Sequence, residues 1–313
     1  MADLERFGLD VGIYGPLAEP ETVVGLARFA EDAGFGSIWL ADHVVFPTAF
    51  ASRYPFSATG EFPAATDAPL LEPVAAMAVL AGATKRVKIG TAVLIVPYRN
   101  PVLLARMLIT IDQFSGGRVV LGAGVGWLEE EFEALHTAPF AKRGKATDEY
   151  LEIFKAMCAG GEVGYAGETY SFPPVHSVPG SVQQPHPPIL IGGVSNPALR
   201  RVVKLADGWL AVALGPEQMT ERMAALQRIA GEHGRRFEDL DLVYKIFIAP
   251  GDPKPGPFGG REIGSGSEAQ IVDDLKAILD AGFGKIIVRY RGDSAAAQMQ
   301  QMQRFAGEIA PKL

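Results

Sequence analysis

Asp42 and His43 stand side by side directly after the apolar run Ser37-Ile38-Trp39-Leu40-Ala41. Imidazole is the side chain best suited to exchange a proton near neutrality. Two readings stand for the pair: proton chemistry at a strand end, or a turn capped by Asp42 with His43 packed beneath a loop. A second constellation is Ile189-Leu190-Ile191-Gly192-Gly193-Val194-Ser195-Asn196-Pro197, a strand, two glycines, a hydroxyl and a helix start carrying proline. The unsatisfied N–H groups of such a start, with the helix dipole, attract an anion. Gly192 and Gly193 permit close backbone approach, so Gly192, Gly193, Val194 and Ser195 read as a phosphate cradle. Ordinary capping by Ser195 or Asn196 is the competing reading.

A third stretch, Gly122-Ala123-Gly124-Val125-Gly126-Trp127, lacks the last glycine of a dinucleotide fingerprint because Trp127 stands there. Its glycines are expected to let a flat ring approach the end of a strand. Glu129-Glu130-Glu131 reads as a solvated first helical turn favoured by the dipole, with one carboxylate able to face inward.

Other chemistries are poorly supplied. Cys158, the single cysteine, lies in an apolar helical pattern with Phe154 and Met157, so it reads as a buried structural thiol. It leaves no intrachain disulfide and no thiolate cluster for zinc. The five histidines form no i, i+4 pair, and the chain has neither a G-x-S-x-G elbow nor a P-loop. Chemistry borrowed from a cofactor gains most from these exclusions. A net charge of -7 without a Lys/Arg block argues against nucleic acid and anionic membrane surfaces. Small molecules are the expected partners. No signal peptide or membrane-spanning run is apparent, which predicts a cytoplasmic protein.

The elements that must position these residues follow a repeated grammar. Ala33-Gly34-Phe35-Gly36 before Ser37 is echoed by Ala281-Gly282-Phe283-Gly284 before Lys285, each a helix stop followed by an apolar strand. Strands are predicted at 7–13, 37–40, 87–95, 118–123, 188–191, 208–212, 242–248 and 285–290. Helical periodicity is predicted at 20–33, 70–83, 101–114, 142–159, 196–206, 216–233, 267–281 and 294–310. Eight alternating pairs in 313 residues predict an α/β fold, a closed (β/α)8 TIM barrel forming a single domain over 1–313. Insertions are expected near 44–69, 160–187, with short β-like pieces around Tyr165, Tyr170 and Phe172, and 250–266, which is rich in Gly and Pro and expected to be mobile without ligand. On this architecture Asp42 and His43 point into the site.

These residues resemble the bacterial-luciferase-like superfamily, in particular its branch of coenzyme F420-dependent oxidoreductases. The resemblance is densest in Gly34–Pro47, in Leu80–Phe132 with Lys88-Ile89-Gly90-Thr91-Ala92-Val93 and Asp112-Gln113-Phe114-Ser115-Gly116-Gly117-Arg118, in Arg143–Tyr150 and in Pro187–Trp209. It implies a deazaflavin (F420), or alternatively FMN, resting on a bulge at Thr91, Ala92 and Val93, with a cis peptide placed at Ala92-Val93. It implies that Asp42 and His43 lie at the reactive ring edge, that Gly192, Gly193, Val194 and Ser195 meet the phosphate, and that Gly126 and Glu130 line the ring pocket. A homodimer is implied too. Members acting on glucose 6-phosphate carry an acid where this chain has Trp127; with Phe46, Tyr54 and Phe56, that indole points to a less polar substrate. The expected activity is F420-dependent hydride transfer, with a reduced-FMN monooxygenase and a non-catalytic flavin-binding barrel as rivals.

Overall fold

Eight parallel strands close on one another: Phe7–Asp10, Ser37–Leu40, Lys88–Thr91, Val119–Gly124, Ile189–Gly192, Gly208–Val212, Asp241–Pro250 and Lys285–Tyr290. They are numbered β1 to β8 below. The computed structural model describes residues 4–62, 65–290 and 294–313; residues 63–64 of the expected 44–69 insertion lie outside them. Closure is made where β8 pairs with β1, Ile286 opposite Phe7, and each strand pairs in parallel with the next around the ring. This is the expected (β/α)8 barrel.

The helices between strands begin and end where the local chemistry dictates. Pro20–Ala33 starts with proline at its first turn and stops at Gly34, whose φ of 95° is the left-handed conformation glycine adopts cheaply. Glu268–Asp280 starts at a capping box, Ser267 and Gln270 each accepting the other's backbone N–H. Their apolar faces pack on the outside of the barrel, where Leu26, Leu80, Leu108, Leu199 and Leu275 are all buried. A smaller core fills the barrel interior: Trp39, Ala92, Val120, Leu190, Leu210, Val243 and Ile287. Trp39 occupies the space left by Gly8 and Gly90, where an added Cβ would come within 2.4 Å of its ring.

One strand departs from expectation, and the insertions gain definition. The predicted strand 87–95 is broken: β3 ends at Thr91, the Ala92-Val93 peptide is cis, and Leu94–Ile95 then pairs with Ala123 and Gly124 of β4. The 160–187 insertion carries an antiparallel hairpin, Gly161–Ala166 against Ser171–Ser177. The 250–266 insertion, expected to be mobile without ligand, is anchored to the helix that follows it. Arg261 grips Asp274 with Nη1 at 2.8 Å and Nη2 at 2.5 Å, and Gly264 N–H donates to the same carboxylate at 2.7 Å. Composition alone carries no sign of such long-range anchors.

Candidate active site

The C-terminal ends of the strands open on a cleft of about 240 Å³. One part of its lining comes from the ends of β3, β4 and β5: Ala92, Val93, Gly124, Gly126 and Gly192, with Gly193 beside them. Another is aromatic, with Tyr14 after β1, Tyr54, Phe56 and Phe62 after β2, and Trp127 after β4. Asp42, His43 and Lys245 are its ionisable members besides the tyrosines.

His43 is buried, and its Nδ1 lies 2.7 Å from Oε2 of the fully buried Glu131. The other oxygen of Glu131 accepts the N–H groups of Val44 at 2.7 Å and Val45 at 3.2 Å. An ionised carboxylate oxygen can only accept, so opposite it the imidazole carries its proton on Nδ1 and keeps the lone pair on Nε2. Such a carboxylate fixes the ring's orientation and stabilises the imidazolium formed when Nε2 takes a proton. Burial, then the charges of Glu131 and Asp42, pushes the neighbouring Tyr98 hydroxyl up, so it stays protonated.

Asp42, expected beside His43 at the ring edge, lines the cleft and is tightly held. Its carboxylate is buried and held by Arg99, Nη1 at 2.7 Å and Nη2 at 2.9 Å, and it accepts the Ile95 N–H at 2.7 Å. Arg99 also grips Glu72. Burial opposes the guanidinium's charge, but Asp42 and Glu72 outweigh it and hold Arg99 above its ordinary pKa. Asp42 thus anchors the segment after the cis peptide through three of its acceptor sites.

The barrel interior carries a second charged cluster. Lys245 Nζ lies 2.6 Å from Asp10 and donates to the Ala92 carbonyl at 2.9 Å. Arg289 Nη1 bonds the other Asp10 oxygen at 2.6 Å. Burial alone would raise the Asp10 carboxyl; Arg289 and Lys245 prevail and bring it down to about 2.

The remaining predicted site residues separate into two groups. Ala92, Val93, Gly126, Gly192, Gly193 and Trp127 line the cleft, and Phe46 packs on His43 with ring centroids 4.4 Å apart. Thr91, Glu130, Val194 and Ser195 do not line it. Thr91 is buried and donates its hydroxyl to the Gly122 carbonyl at 2.8 Å. Glu130, expected in the ring pocket, instead accepts the Ala51 and Ser52 N–H groups at 2.6 and 3.2 Å. Ser195 caps its own helix through Ala198 N–H at 3.4 Å, the plainer of its two readings. Two of the glycines also have a packing role. An added Cβ on Gly124 or Gly192 would lie 2.5 Å from a Val93 methyl, so these positions are small to seat Val93.

Glu131, Lys245 and Phe62 are the residues that sequence reasoning missed. Glu131 sat within the recognised acidic run, but which of three adjacent carboxylates turns inward depends on the rotation of a seven-residue helix, Glu129–Leu135. A lone lysine in the apolar strand 242–248 was a readable signal for Lys245.

Comparison with known proteins gives consistent findings. The family described as luciferase-like monooxygenase matches residues 6–254. An uncharacterized protein of Mycobacterium tuberculosis (strain ATCC 25618 / H37Rv) is 31% identical over 298 residues, covering 93% of this chain and 95% of its own. An FMNH2-dependent dimethylsulfone monooxygenase of Pseudomonas putida is 28% identical over 200 residues, covering 59% of this chain and 55% of its own. Among solved structures, an F420-dependent secondary alcohol dehydrogenase in complex with an F420-acetone adduct superposes with a TM-score of 0.79 at 16% identity, covering 98% of both chains. That likeness is one of fold.

Proposed function

The chain belongs to the luciferase-like monooxygenase family, and from that premise we propose that it is an F420-dependent oxidoreductase. It moves a hydride between the deazaflavin C5 and a small, weakly polar organic substrate. The observation that carries this reading is the buried His43–Glu131 pair at 2.7 Å on an apolar cleft. Alcohol oxidation needs a base for the hydroxyl proton, and Nε2 of His43 is such a base.

The residues present fit a flat tricyclic cofactor. Ala92, Val93 and Gly126 offer it a surface of small side chains and backbone. Gly193, with φ 110°, presents the backbone ahead of a ten-residue helix, where a phosphate is favoured. Bound there, the deazaflavin supplies the hydride acceptor in oxidation and the donor in reduction. The chain's own residues do the rest. His43 Nε2 takes the proton from the substrate hydroxyl as the C–H electron pair leaves and the carbonyl forms; in reverse it returns that proton to the alkoxide oxygen. Glu131 holds the ring in register and stabilises its charge. Asp42 and Arg99 fix the segment on which the ring would rest.

Reduced-FMN monooxygenation is the second reading, supported by the Pseudomonas putida relative. Anaerobic mixing with F420 and secondary alcohols, followed through loss of the deazaflavin's visible absorption, tests the first. Reduction that His43→Ala slows by about 100-fold or more is the expected result. Oxygen consumption coupled to an FMN reductase, with no alcohol-dependent F420 reduction, would put the second reading first.

A further inference from the structure

Resting on the hydride-transfer reading, we infer that the cleft selects a neutral, ring-bearing ketone or secondary alcohol, with Phe62 and Trp127 as its specificity-determining residues. Phe62 and Trp127 stack with centroids 5.6 Å apart and planes at 24°. Tyr54 meets each of them edge-on at 5.2 Å. Phe62 reaches His43 edge-on at 5.3 Å and lies tilted to Tyr14 with centroids 6.0 Å apart. The space beside the proton-accepting imidazole is therefore bounded by aromatic faces and edges. A flat ring joins such a cluster in the offset or edge-to-face geometry that ring quadrupoles favour, and an aliphatic fragment of the same polarity gains less.

The charges close off the alternative of an anionic substrate. Each ionisable partner lining the cleft, tyrosines aside, is already matched: Asp42 by Arg99, His43 by Glu131, Lys245 by Asp10. With Glu72 and Arg289 included, every cation of these clusters already has a carboxylate partner. A carboxylate or phosphate on the substrate would lose its hydration and meet a site with no surplus positive charge. A carbonyl or hydroxyl needs only the single polar contact at Nε2.

Acetophenone, 4-acetylbenzoate and acetone separate these features, and their binding is measured on the purified protein by ligand-observed NMR, with and without F420. Acetophenone is expected to bind at least about tenfold more tightly than either of the others. Phe62→Ala and Trp127→Ala should each weaken acetophenone about fivefold or more and leave acetone unchanged. Phe62→Leu, which keeps an apolar side chain of useful bulk, should lose most of the same preference. Equal binding of the benzoate, or an acetophenone affinity untouched by both alanine variants, would overturn the inference. Ring-selective binding without F420-coupled turnover would support it while overturning hydride transfer. Turnover of 2-propanol with no preference for 1-phenylethanol would do the reverse.

Discussion

Glu131 gives His43 its direction. With both carboxylate oxygens accepting, the imidazole presents Nε2 as its acceptor, and a carboxamide in the same place could offer only one acceptor oxygen. Glu131→Gln is therefore expected to lower kcat by about 10- to 1,000-fold while the cofactor Kd stays within about twofold, measured by single-turnover kinetics and titration. A matching loss of cofactor affinity would reassign Glu131 to binding. Asp10 makes a stability prediction. Its folded-state pKa of about 2 lies below the ordinary 3.8, so its contribution is present above about pH 4 and is lost as pH falls through 2. The shift corresponds to about 2 kcal/mol. Asp10→Asn, which leaves Lys245 and Arg289 without their shared carboxylate, should cost about 3 kcal/mol or more at pH 7 in denaturant unfolding. The difference from the parent should shrink in acid. At this scale the sequence was half legible: Asp42 and His43 announce themselves by adjacency, whereas Glu131 lies 88 positions away.

Elements were more legible than residues because their signals are local. The strands at 37–40 and 285–290 fall where the apolar runs and preceding glycines place them, and 208–212 falls on its apolar run. The break in β3 belongs to a different class of information, since Val93 can turn inward only if Gly124 and Gly192 on two other strands leave room. Gly192→Ala is expected to destabilise by about 1–3 kcal/mol through overpacking. Val93→Ala in the same chain removes the clashing methyl and should return most of that loss. Absence of rescue in thermal or denaturant unfolding would show that the backbone, and not Val93, sets the requirement. The 250–266 insertion shows the complementary limit: its Gly and Pro content describes local freedom and is silent on the Arg261–Asp274 pair that anchors it.

The whole molecule turns eight similar units into one asymmetric site. Closure of β8 on β1 brings Arg289 to Asp10, and β7 delivers Lys245 to the same carboxylate and to the Ala92 carbonyl. The interior cluster thus links strands from both ends of the chain to the surface proposed for the cofactor ring. The fold class could be read from alternation alone; the allocation of charge could not, because it depends on which strand ends become neighbours once the barrel closes. Among the described residues no helix is long and apolar enough to cross a membrane, and no cluster of three or more His, Cys, Asp or Glu is arranged to hold a metal ion. The measurement to make is a parallel titration of the purified protein with F420 and FMN, each oxidised and reduced, by calorimetry. Binding of F420 at least about tenfold tighter than FMN is the predicted result; binding of reduced FMN with F420 excluded would contradict it.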